Sequence, residues 1–85
     1  MHVTGRVDSV SSVDFRSGKT QAGKDYSFYQ QVLTLALGGQ MVEVIFRSEK
    51  EPSGSLTNHD LDDVIRIKVE KPRIFNARVS FDAAI

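Results

Sequence analysis

Apolar and polar residues alternate with a period of two along most of this chain, and no window sustains the three-and-four spacing of an amphipathic helix. Val3, Val7, Val13 and Phe15 share one parity while Val10 falls out of step. That predicts a long first strand with a bulge or bend between Ser9 and Ser12. A second strand is predicted over 26–37, its later half placing Leu33, Leu35 and Leu37 on one face, and Gly38 and Gly39 supply positive φ for a tight turn. The third strand buries Val42, Val44 and Phe46 and turns Met41, Glu43, Ile45 and Arg47 the other way. The polar, breaker-rich stretch "SEKEPSGSLTNHD" comes next, with a helical turn begun by Asn58 or Asp60. The fourth strand sets Ile65, Ile67 and Val69 against Arg66, Lys68 and Glu70. The fifth sets Ala77, Val79, Phe81 and Ala83 against Arg78, Ser80 and Asp82, with "KPRIFN" as the tip between them.

Five short strands with no repeat, linker or low-complexity tract predict one all-β domain over residues 1–85, a five-stranded OB-fold barrel with a protruding hairpin; an SH3-like barrel is the second choice. A chain of 85 residues buries little more than ~60% of the surface it exposes when unfolded. With Met41 and Ile45 apolar on the face opposite Val42, Val44 and Phe46, the expectation is a two-fold dimer.

Composition narrows the classes. Without cysteine, neither a disulfide frame nor a thiolate metal site is available. No segment resembles a signal peptide, and "VLTLAL" and "MVEVIF" are far too short to span a bilayer, so the sequence reads as a soluble, cytoplasmic protein. Eleven basic residues balance eleven acidic ones, which by itself argues mildly against a nucleic-acid partner. The distribution is polarised, however. Residues 49–63 set Lys50 against Glu49, Glu51, Asp60, Asp62 and Asp63, whereas residues 64–81 set Arg66, Lys68, Lys71, Arg73 and Arg78 against Glu70.

The stretch "RSGKTQAGKDYSF", residues 16–28, is long, basic and aromatic where a two-residue turn would serve. If Leu33, Leu35 and Leu37 mark the core, Tyr26 and Phe28 point to the other face, beside Arg16, Lys19 and Lys24. Aromatic rings stack on any base while cations follow phosphates, a combination that holds single strands without reading sequence. Gly18 and Gly23 would let the loop bend and bring backbone N–H groups close to phosphate. The competing reading is a solvated hairpin tip whose aromatics cover a small apolar cluster or a subunit interface. Composition leaves the two level; Tyr29, of core parity, goes to packing.

This segment, followed by "QQ", a strand and the turn "LGG", closely resembles the gene V type single-stranded DNA-binding proteins of filamentous bacteriophages. Those carry R-S-G…Q-G-K-x-Y-S-[LF]…Q at the same distance from the N-terminus. The resemblance is specific over residues 16–39; across the remainder it is one of length, strand order and hairpin placement. It implies an OB-fold homodimer, with cooperative dimer–dimer contacts, coating single-stranded phage DNA during rolling-circle replication in the bacterial host cytoplasm. Arg16 matches the wing arginine, Tyr26 the wing tyrosine, Phe28 the apolar residue two places on, and Phe75 the aromatic of the second hairpin. Gln21 stands where the family often has a second wing arginine, so Lys19 or Lys24 must supply that charge. Thr34 and Met41 stand where tyrosines are expected. The C-terminal end is thin in basic residues, which leaves Arg78, with Arg66 and Lys68 on the same outer face, to compensate. The expected DNA contacts are therefore Arg16, Lys19, Gln21, Lys24, Tyr26, Phe28, Phe75 and Arg78, with the acidic loop of 49–63 facing away.

Other chemistry finds little support. "NHDLDD" at 58–63 offers one imidazole and three carboxylates, but the glycine of an oxygen-ligand loop is missing and acids at a helix start are ordinary capping. His2 has no evident partner. No phosphate loop, nucleophile elbow or cysteine nucleophile occurs, so the expectation is a protein without enzymatic activity, cofactor or metal. The rival from another class is a small dimeric β-barrel adaptor whose exposed aromatics bind protein.

Overall fold

The alternation around Leu33 and Leu35 is realised in the central strand of an all-β computed structural model, which describes residues 1–75 and 78–84, the side chain of Phe75 excepted. Its strands are β1 (His2–Val10), β2 (Asp14–Lys19), β3 (Asp25–Leu37), β4 (Gln40–Ser48), β5 (Val64–Phe75) and β6 (Arg78–Ala83). They form one mixed sheet in the order β1-β5-β6-β4-β3-β2, and β1 also pairs with β3, so the sheet returns on itself with β2 left outside the return. All pairings are antiparallel except β4 with β6.

Six strands stand where five were expected, because the long first strand is interrupted between Val10 and Asp14. Ser11 N–H donates to the Val32 carbonyl (2.9 Å), and Val32 N–H donates to Ser11 Oγ (2.9 Å). The serine thus closes the break with both its backbone and its side chain. The irregularity expected between Ser9 and Ser12 begins earlier, between Val7 and Ser9, where β1 gains one residue on β3. That extra residue is why Val10 is out of step with Val7 and still packs against the core.

Val3, Val7, Leu33, Leu35, Val42, Val44, Val69 and Phe81 are buried together. Leu33, Leu35, Val7 and Val44 are fully excluded from water, each contributing about 1.5–3 kcal/mol. Gly38 and Gly39 turn β3 into β4 with φ of 52° and 91°, as the sequence predicted. The helical turn expected at Asn58 or Asp60 does not form; the loop there is tied down by a buried glutamine instead. Gln31 lies on the inner face of β3, 4% exposed. Its Nε2 donates to the Ser11 carbonyl (2.8 Å), while its Oε1 accepts from Leu56 N–H (2.7 Å) and Ser55 Oγ (3.0 Å).

The segment "KPRIFN", expected as a tip, is mostly strand. Val69 and Glu70 face Ala83 and Asp82, but beyond them Arg73, Ile74 and Phe75 face Ser80, Val79 and Arg78. Lys71 and Pro72 together therefore oppose one residue, a bulge at which Lys71 takes φ 53° and the missing N–H of proline is tolerated. The slip exchanges faces for everything beyond it: Arg73 joins the outer face, and Ile74 becomes the residue opposite Val79. Ala77, expected on the inner face of the last strand, lies outside the described residues. Among those described, no helix is long and apolar enough to cross a membrane.

Candidate functional site

β2 and the start of β3 form the hairpin that the basic, aromatic stretch predicted. Its register places Arg16 opposite Phe28 and Gly18 opposite Tyr26 on one face, and Phe15 opposite Tyr29, Ser17 opposite Ser27 and Lys19 opposite Asp25 on the other. At the tip, Gly23 N–H donates to the Thr20 carbonyl (2.9 Å) and Thr20 N–H to the Lys24 carbonyl (2.8 Å). Gly23 has φ 81°, while Gln21 and Lys24 are exposed there.

Tyr26 and Phe28 stack on one another on the first face, ring centroids 5.9 Å apart and planes 22° from parallel. Gly18 is not the flexible joint the sequence suggested. It lies within β2, and a Cβ there would stand 2.6 Å from Tyr26 Oη and 2.9 Å from its Cζ. The Tyr26 ring lies across the bare backbone of Gly18, and a side chain at that position would push it away.

A residue not expected in the site completes it. Arg47, on the outer face of β4, holds its guanidinium carbon 5.5 Å from the Phe28 ring centroid, within cation–π range. Tyr26, Phe28 and Arg47 line a groove of ≈ 620 Å³ together with Asp25, Ser27, Ser48 and Glu49. Arg47's outward parity is visible in the sequence, but its nearness to Phe28 depends on the pairing of Tyr29 with Ser48. The acidic loop does not keep wholly away, since Glu49 borders this groove.

Arg47 is anchored from behind. Its Nη1 lies 2.7 Å from Asp82 Oδ1, and Arg73 donates to the same carboxylate through Nη1 to Oδ1 (3.0 Å) and Nη2 to Oδ2 (2.8 Å). Arg73 reaches Asp82 because the Lys71–Pro72 bulge turned it to the outer face. Asp82 is 7% exposed. The Arg73 hydrogen bonds hold its carboxyl below the usual aspartate range against the upward push of burial, and Arg47 adds to the effect.

The other expected contacts separate from this group. Lys19 shares a face with Phe15 and Tyr29, and its ammonium is 3.8 Å from Asp25. Tyr29 packs against Phe15 at 5.1 Å between centroids, the structural role its parity predicted, although Phe15 remains 57% exposed. Arg78 lies with Glu43 (Nε to Oε1, 3.5 Å) beside Thr34, Met41 and Val79. Since Glu43 pairs with Thr34, six residues along β3 from Phe28, the separation is about 20 Å at strand rise. The Phe75 backbone stands opposite Arg78 at that same end; its side chain lies outside the described residues. Arg66 and Lys68 share the outer face with Arg78, as expected, since Glu70 of their parity pairs with Asp82 of its parity, but they lie alongside Thr4 and His2 of β1 and not beside the hairpin. Among the described residues, Arg16 and Lys24 have no carboxylate within salt-bridge distance.

One chain thus brings together two stacked rings, a pinned guanidinium and Arg16, a surface able to sandwich flat apolar groups and neutralise nearby anions. No family model, curated protein or solved structure matches this chain.

Proposed function

We propose that this protein binds single-stranded DNA largely without regard to sequence, as a gene V type coat protein of phage DNA in its bacterial host. The observation that carries the reading is the Tyr26–Phe28 stack on the surface of the hairpin, bordered by Arg47 on one strand and by Arg16 on another. Tyr26, 43% exposed, and the half-buried Phe28 offer a base platform, and cations at its margin follow the phosphates. The strand circuit β1-β5-β6-β4-β3, returning to β1 with β4 parallel to β6, supports the OB-fold reading, in which β2 and the start of β3 are the protruding wing.

Filter binding of single-stranded and duplex oligonucleotides at two salt concentrations tests the proposal. Single strands should be preferred, and affinity should fall steeply with salt, at roughly −0.7 in log–log slope per phosphate neutralised. Arg16→Ala should weaken binding and flatten that slope together. An unchanged slope in a folded variant removes Arg16 from the contact surface. An adaptor that binds protein through the same rings would show neither strand preference nor steep salt dependence.

The proposed working form is a homodimer. Ile74 is 77% and Met41 46% exposed, and both lie near Val79, Ile74 by pairing and Met41 across a shared groove. Covering these residues with a second copy removes an apolar surface that one chain leaves in water. Sedimentation at micromolar concentration should give the mass of a dimer; a monomer would contradict it.

A further inference from the structure

We infer that Asp82 is a positioning residue for nucleotide contact: its carboxylate fixes the Arg47 guanidinium against the Phe28 ring, with Arg73 as the opposing clamp. The inference rests on the single-strand reading and deepens it. Among the described residues Asp82 is the one buried carboxylate, and it joins three strands, accepting from Arg47 of β4 at 2.7 Å and from Arg73 of β5 at 2.8 and 3.0 Å.

Stability alone is a weak reason for such a group, because a buried ion pair roughly breaks even against an apolar replacement. Charge is no better a reason at an anion-binding face, where an acid subtracts attraction. What Asp82 supplies is geometry. An arginine on an open sheet face samples many rotamers, and binding a base beside it would have to order it. Arg47 is already ordered. One of its five N–H donors is spent on Asp82, its guanidinium carbon is held 5.5 Å from the Phe28 centroid, and the residue borders the groove that also holds Tyr26. The Lys71–Pro72 bulge belongs to the same device, since without its one-residue slip Arg73 would face inward and Asp82 would have a single partner.

Positioning and simple electrostatics predict opposite signs, which makes the test sharp. Asp82→Asn adds one unit of positive charge to the face. If charge alone mattered, oligothymidylate would bind more tightly and with a steeper salt slope. Positioning predicts about fivefold weaker binding, within the coupling range of contacting residues, with no flattening of the slope. It also predicts that Asp82→Asn causes no further loss in an Arg47→Gln background. Unchanged or tighter binding by the single variant, or equal losses in both backgrounds, overturns the inference.

If Asp82→Asn does not fold, Arg47→Lys serves in its place. The charge is kept while the planar fork is lost, so binding should fall nearly as far as in Arg47→Gln; wild-type affinity overturns the inference. Binding by the unaltered protein together with an additive cycle sinks this inference alone, whereas no binding by the unaltered protein sinks the single-strand reading as well.

Discussion

Phe28→Ala is expected to weaken binding to single-stranded oligothymidylate by about 1–3 kcal/mol, roughly a factor of 5 to 150, the cost of losing one stacked base. Phe28 is the middle layer of the site, with Tyr26 beside it at 5.9 Å and the Arg47 guanidinium over it at 5.5 Å. Its loss removes a stacking surface and the surface against which Arg47 is held. The same ring contributes less to folding than a core aromatic, whose truncation costs about 3–5 kcal/mol, because it lies half-buried outside the central cluster. The expected stability loss is about 1–2 kcal/mol, the sum of an aromatic pair and a cation–π contact. Thermal unfolding and filter binding on this one variant decide between contact and packing. A core-sized loss of stability with unchanged affinity would make Phe28 a packing residue.

Gln31→Ala is expected to do the reverse, lowering folding stability by about 2–4 kcal/mol while leaving the affinity of the folded fraction within about twofold, as for sites with no shared partners. The amide sits on the apolar face of β3 between the break at Ser11 and the loop at Ser55 and Leu56. Truncation leaves a cavity, and it deprives the Ser11 carbonyl and the Leu56 N–H of their partners in a partly buried setting. Loop 49–63 should then exchange its amide hydrogens faster, an effect that hydrogen exchange would locate at Leu56. Stability unchanged within about 0.5 kcal/mol would show that the loop does not depend on this amide.

Much of the fold is legible in the sequence because the core is built from period-two alternation. Leu33, Leu35, Val42, Val44, Val69 and Phe81 are buried as their parity requires, and the turn at Gly38–Gly39 needs only the positive φ that glycine supplies. Parity warns of the first slip through Val10, though placing it slightly late, and gives no warning of the second. The extra residue after Val7 and the one at Lys71–Pro72 each reverse the facing of the residues beyond them. In sequence the proline and its neighbouring charges resemble a turn, because bulges and turns draw on the same residues.

Local alternation, and cross-strand pairing within a few residues, are enough to specify an all-β chain, the inner face of its strands, and a hairpin that presents Arg16, Tyr26 and Phe28 together. The packed sheet alone reveals that Arg47 joins them, that Lys19 turns to the opposite face to meet Asp25, that Arg78 lies some 20 Å away at strand rise, and that Gly18 is a seat for Tyr26 instead of a hinge. Each of these depends on register between strands distant in sequence, or on which side of a pair a side chain emerges. A shift of one residue carries a strand's side chains to the opposite face without changing the composition of the chain.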